Sequence, residues 1–189
     1  PTDDVHIRKA ISYATDYEQM SEVYGGMPKA QGPVPPSLWG ASNNFDSFEY
    51  NIEKAKEEIQ LSKYKDNLQD YPIEIASIEG NGDTPTLAMI LAQNLDAIGF
   101  NVSVNEVPWV LFCNNESEIE TSPHITNAFA TANYPEAGSI LEFKYASWTT
   151  GNWNQNEWLM DDKFDEMIRE ATKTVDNAKR KEKYAEIQK

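Results

Sequence analysis

The sequence predicts an α/β fold with a mixed, mostly parallel sheet flanked by helices. Residues 72–78, PIEIASI, alternate apolar and polar side chains as a strand does. Residues 101–107, NVSVNEV, alternate again. Between them Leu87, Ile90, Leu91, Leu95 and Ile98 make a helical stripe that stops at Gly99. A strand, a helix of that length and a second strand suggest the right-handed parallel unit. HITNAFA (124–130) reads as a third strand.

The other elements follow in chain order. Ile7, Ala10, Ile11 and Ala14 recur at i, i+3, i+4 and i+7, one face of a helix, and Asp3 or Asp4 can cap it. Asp16 is expected to cap a second helix ending at Gly25-Gly26. Residues 27–50 carry Pro28, Gly32, Pro33, Pro35, Pro36 and Gly40 and read as a long irregular loop. Long ordered loops in compact domains tend to be functional. Asn51 caps a helix with Ile52, Ala55 and Ile59 inward, and Thr84-Pro85 reads as the N-cap and first position of the helix between the strands. Pro108 opens a helix to about residue 117. After the third strand, FATANYPEAGSILEF (129–143) breaks an apolar run with Asn133-Tyr134-Pro135-Glu136, then resumes it. Asp161 caps a helix whose inner face is Phe164, Met167, Ile168, Ala171 and Val175, and Asp176 restarts a last helix. No repeat or low-complexity segment occurs.

The 189 residues suffice for one core or one large domain, and 40% hydrophobic with 11% aromatic residues places the chain among globular proteins. No apolar run approaches the roughly 20 residues needed to span a bilayer. No signal peptide is visible. The start at Pro1-Thr2-Asp3-Asp4 without Met, and the end inside KRKEKYAEIQK, suggest a piece of a longer protein. Asp plus Glu number 31 against 16 Lys plus Arg, a net −15. Such a surface repels phosphate backbones and anionic membranes, so nucleic acid is not an expected partner. The single cysteine, Cys113, can form no internal disulfide, which leaves the compartment open.

Catalytic and metal chemistry find little to work with. His6 sits on a helix and His124 precedes a strand, neither beside a Cys or carboxylate at metal-ligand spacing. Cys113 lies among apolar residues and reads as a small hydrophobe. Gly80-Asn81-Gly82 is too short for a phosphate loop. Asp161-Asp162 reads as helix capping. No cofactor is expected.

Recognition chemistry is richer. Asn133, Tyr134, Tyr145, Trp148, Asn152, Trp153, Asn154, Asn156 and Trp158 crowd one stretch. Rings supply apolar contact area at low entropy cost, and amides orient a polar ligand. The same tryptophans also suit packing against a sheet edge. The rule that ligands of α/β sheets lie beyond the carboxyl ends of the strands points to 78–84 and 131–138. Glu136 can complement a cationic ligand group or simply be a solvated turn residue.

Four stretches together resemble the C-terminal lobe of the family 5 (peptide/nickel class) solute-binding proteins of ABC importers. They are DDVHIRKAISYATDYEQM, MPKAQGPVPPSLWG, YNIEKAKEEIQLSKY and DDKFDEMIREATKTVDNAKRKEKYAEIQ, the last with an Asp176 to Arg180 step. They span nearly the whole chain in the family's order. The resemblance implies a periplasmic-binding-protein-like, two-lobed parent that closes over its solute. Residues 1–189 would form a single α/β lobe, with the N-terminal lobe and hinge elsewhere in the parent chain. The implied partners are a small peptide or other polar solute and an ABC permease. The implied place is the periplasm or the outer face of the cytoplasmic membrane, with or without a lipid anchor. The family pattern Trp-x-x-Asp-Tyr-Pro-Asp-Pro falls on Ala130, Asn133, Tyr134, Pro135, Glu136 and Ala137. The Asp that receives a peptide's α-ammonium in such proteins is Asn133 here, which keeps a hydrogen bond and loses the charge. The expected ligand contacts are Asn133, Tyr134, Glu136, Trp148, Asn152 and Trp153, with the 32–40 loop contributing. A rival reading is a glycoside-acting enzyme using the Trp- and carboxylate-rich surface.

Overall fold

A computed structural model describes residues 1–45 and 47–189; Asp46, within the segment read as a loop, lies outside the described residues. The chain divides into two compact units. The first contains residues 1–29, 48–112 and 123–128, and the second residues 30–47, 113–122 and 129–189.

The first unit carries helices α1 (Val5–Ala14), α2 (Tyr17–Val23), α3 (Ile52–Leu61) and α4 (Thr84–Asp96), with strands β1 (Ile73–Ile78), β2 (Val102–Val107) and β3 (Ile125–Asn127). The expected caps form. Asp4 accepts from His6 N–H at 2.8 Å, Asp16 from Gln19 N–H at 3.0 Å and Asn51 from Lys54 N–H at 2.9 Å. The sheet order is β2-β1-β3, and both pairings are parallel, with Ile75 opposite Val104 and Ile125. The central strand is buried along nearly its whole length, as a strand covered on both faces must be. Ile73 and Ile75 pack in one core with Ile7, Ala10, Ala55, Leu95 and Phe100. The strand–helix–strand spacing therefore folds as expected.

Two details differ. Asp83, not Thr84, is the N-cap of α4. The Thr84 hydroxyl is buried and turned back to donate to Asn81 O at 3.0 Å, so it cannot cap. The third strand is three residues long, because only Ile125–Asn127 pairs with β1 before the chain passes to the second unit.

A short helix, α5 (Trp109–Asn115), begins in the first unit and ends in the second. It stops before residue 117 because hydroxyls take its last carbonyls. Ser117 Oγ donates to Asn114 O and Thr121 Oγ1 to Asn115 O, both at 2.7 Å.

The second unit contains α6 (Ala137–Tyr145), α7 (Asp162–Lys173) and α8 (Asn177–Ile187). Their core joins Val34, Ala137, Ile140, Leu141, Ala146, Ile168, Ala171, Tyr184 and Ile187. The sequence reading did not include α6, although Ala137, Ile140 and Leu141 carry the i, i+3, i+4 pattern. Val175 is not on the α7 face. Thr174 ends the helix in an extended conformation and leaves Val175 89% exposed. The proline-rich loop is anchored by one amide: Gln188 Nε2 donates to Gly40 O at 2.9 Å and its Oε1 accepts from Ser42 N–H at 3.0 Å. Among the described residues, no helix is long and apolar enough to cross a membrane.

Candidate functional site

The turn before α6 is built by its own backbone and by one buried hydroxyl. Glu136 N–H donates to Tyr134 O at 2.8 Å, closing a three-residue turn around Pro135. Ser139 Oγ accepts from Asn133 N–H at 2.7 Å. The proline-rich loop joins from the side. Trp39 N–H donates to Pro135 O at 3.3 Å, and Ala137 N–H donates to Trp39 O at 2.8 Å.

Side chains from α8 complete the arrangement. Arg180 Nε lies 2.8 Å from Glu136 Oε1, and the Tyr184 phenol donates to the same oxygen at 2.6 Å. Arg180 also donates to Thr174 O at 2.8 Å and to Asn177 Oδ1 at 2.9 Å, and its guanidinium lies 4.9 Å from the Trp39 ring centroid. Trp39 meets Tyr184 edge-on. Burial, followed by the bond to Glu136, pushes the Tyr184 phenol far above its ordinary pKa. Burial and then Glu142 do the same for Tyr134, whose hydroxyl donates to Glu142 Oε2 at 3.0 Å. Gly138 lets both phenols come close to the helix backbone. A Cβ there would lie 2.4 Å from Tyr184 Oη and 3.1 Å from Tyr134 Oη.

The structure thus gathers Asn133, Tyr134 and Glu136 on one turn. Asn133 is exposed, and its side-chain amide makes no hydrogen bond among the described residues. Tyr134 and Trp39 are 39% and 38% exposed. Trp148, Asn152 and Trp153 belong to the segment after α6 and make different contacts. Trp148 is exposed, with the Arg169 guanidinium 4.2 Å from its ring centroid. Asn152 donates to Thr149 O at 3.3 Å. Trp153 is half-buried with its ring edge-on to Phe143. Trp158 takes a left-handed backbone with φ 55°, held by its N–H donating to the buried Gln155 Oε1 at 3.1 Å and its indole to Ser122 Oγ at 3.1 Å. Tyr145 is pushed up to about 12 by burial, then by Glu157.

Ser139, Arg180 and Tyr184 are not site candidates in the sequence, whereas Trp39 lies in the 32–40 loop expected to contribute. The one signal available was the i, i+4 spacing of Arg180 and Tyr184, which puts both on one helix face. The Asp161-Asp162 pair serves helix capping, as expected. Asp161 caps α7 by accepting from Lys163 and Phe164 N–H at 2.9 and 3.0 Å. His6 Nδ1 lies 2.7 Å from Glu58 Oε2, and His124 Nδ1 accepts from Glu74 N–H at 3.2 Å. Cys113 is half-buried, with its thiol pushed up by burial and then by Glu116. No cluster of three metal-ligating side chains occurs among the described residues.

Comparison with known proteins settles the family. Residues 1–155 match the family model of bacterial extracellular solute-binding proteins, family 5, middle region. The chain belongs to this family. It is 28% identical over 193 residues to di/tripeptide-binding protein 2 of Pseudomonas aeruginosa, covering 100% of this chain and 35% of that protein. It is 24% identical over 191 residues to heme-binding protein A of Haemophilus influenzae, covering 100% of this chain and 34% of the relative. The chain thus spans about a third of the length of these curated relatives. The fold matches that of the periplasmic binding protein DppA from Helicobacter pylori, solved with the peptide STSA. The TM-score is 0.85 at 21% identity, covering 99% of this chain and 36% of that one. The three-stranded parallel sheet flanked by helices is therefore a periplasmic-binding-protein fold. The family is one of extracellular binding proteins, not enzymes.

Proposed function

We propose that this chain is the C-terminal lobe of the substrate-binding component of an ABC importer, capturing a peptide or other polar solute outside the membrane and delivering it to a permease. Residues 1–189 serve as one lobe of a hinged parent, in the periplasm or on the outer face of the cytoplasmic membrane, with or without a lipid anchor. The observation that carries this reading is the turn at 133–136. It presents an exposed amide and two exposed rings, Tyr134 and Trp39, on a backbone locked by Ser139 and by the Trp39 bridge. Rigid rings beside an unpaired amide suit a polar solute with apolar parts. Trp148, Asn152 and Trp153 contribute a second set of contacts to the same solute. The relatives named for di/tripeptide and heme binding support solute capture and leave the chemical class of this solute open.

Thermal melting of the full-length parent protein, freed of bound ligand, tests this. Pools of free-amine peptides, amine-blocked peptides, oligosaccharides and nickel are screened. A solute that binds only the folded state raises the midpoint. A shift with one pool is the expected result, and none with any pool defeats the reading.

A further inference from the structure

Two carboxylates border the turn, in opposite electrostatic states. Glu136 is neutralised by Arg180 at 2.8 Å and bonded by Tyr184 at 2.6 Å on the same oxygen. Glu142, on α6, accepts from the Tyr134 hydroxyl at 3.0 Å, and among the described residues no Lys, Arg or His lies within ion-pair distance of it. A phenol that donates to a carboxylate orients it without cancelling its charge. The Tyr134 phenol is held well above its ordinary pKa, so it stays protonated and keeps donating. The net negative charge at this turn is therefore carried by Glu142, not by Glu136.

We propose that Glu142 is a specificity-determining residue of the solute site: Tyr134 fixes one of its oxygens, and the carboxylate receives an ammonium or guanidinium group of the solute. Glu136 is a positioning residue. Its ion pair with Arg180 fastens the entry of α6 to α8 and so orients Asn133 and Tyr134. This assignment rests on the solute-binding reading and relocates the charge that Asn133 lacks to a residue nine positions on. Glu142 is half-buried and already held by one hydrogen bond, so a cation that binds there pays less ordering cost than at a freely moving surface acid.

The test uses the full-length parent and calorimetric titration at low salt. The probes are the tripeptide Ala-Ala-Ala with its amine free and the same peptide acetylated. Wild type is expected to favour the free amine. Glu142→Gln is expected to lower that affinity about tenfold, the scale of one lost charge-assisted hydrogen bond, while the acetylated peptide binds as before. Glu136→Gln is expected to weaken both peptides together and preserve their ratio. Should Glu142→Gln melt early, Glu142→Asp, which keeps the charge on a shorter arm, is expected to retain a preference for the free amine. The proposal is overturned by an unchanged ratio in Glu142→Gln, by a wild-type preference for the acetylated form, or by failure of both peptides while another pool raises the melting midpoint. No shift with any pool removes the solute-binding reading, and this proposal with it.

Discussion

Among the described residues, the buried polar side chains of the first unit are three hydroxyls, Ser62, Ser77 and Thr84, whereas those of the second are Glu116, Ser139, Asn154, Gln155, Asp165 and Gln188. The first unit is organised around a parallel sheet whose central strand is buried by apolar neighbours. The second has no strand of its own among the described residues and uses amides and carboxylates to hold irregular backbone: Asn154 donates to Phe143 O at 2.7 Å, Gln155 donates to Leu159 O at 2.8 Å, and Asp165 accepts from Ser147 N–H at 2.9 Å. A sheet satisfies its backbone with itself. A unit of three helices and long connections must satisfy loop carbonyls and N–H groups with side chains, because buried backbone groups left unpaired are costly. The candidate site lies in the second kind of structure, where side-chain hydrogen bonds already set the geometry.

This contrast can be broken by substitution. The largest effect is expected from Leu95→Ala in the first unit. Leu95 is fully buried, and the change should cost about 3 kcal/mol in urea unfolding. A cost below about 1 kcal/mol would mean that this core is not tightly packed. Next comes Gln155→Ala in the second unit, which strands Leu159 O and Trp158 N–H and should cost about 2 kcal/mol. If Gln155→Ala proves neutral, the polar network is decoration and the contrast fails. Tyr184→Phe keeps the ring and removes the bond to Glu136. About 1 kcal/mol is expected, with the Arg180 ion pair intact.

The smallest effect is a pH dependence of the first unit. The pKa of His124 is lowered from 6.5 by burial, which outweighs the opposing pull of Glu74. Its Nδ1 accepts Glu74 N–H, which requires the neutral ring. A base whose folded pKa is depressed gives stability that is present above pH 6.5 and lost as pH falls through the folded value. Urea midpoints measured from pH 7.5 downward should therefore fall more steeply in wild type than in His124→Gln, and equal slopes would dismiss the effect.

Much of the first unit was legible because its determinants are local. Asp4, Asp16 and Asn51 cap the helices that begin beside them, and the alternation in PIEIASI marks a strand, whereas its burial on both faces came only from the order of the sheet. The second unit was read less well for the opposite reason. The helix at 137–145 hid behind a short apolar run, and Val175 fell outside the α7 face because Thr174 ends that helix.

The sequence by itself determined the caps of α1, α2, α3, α7 and α8, though not that of α4, where Asp83 stands in place of Thr84, together with the parallel strand–helix–strand unit and the presence of an aromatic and amide-rich turn at 133–136, since each rests on local residues. Tertiary structure alone decided how that turn is charged. Glu136 reads from sequence as a free carboxylate, yet its partner Tyr184 lies 48 positions away, on a helix that brings Arg180 to the same oxygen. Which acid keeps its charge depends on which cation folds against it, and that is a property of packing, not of spacing.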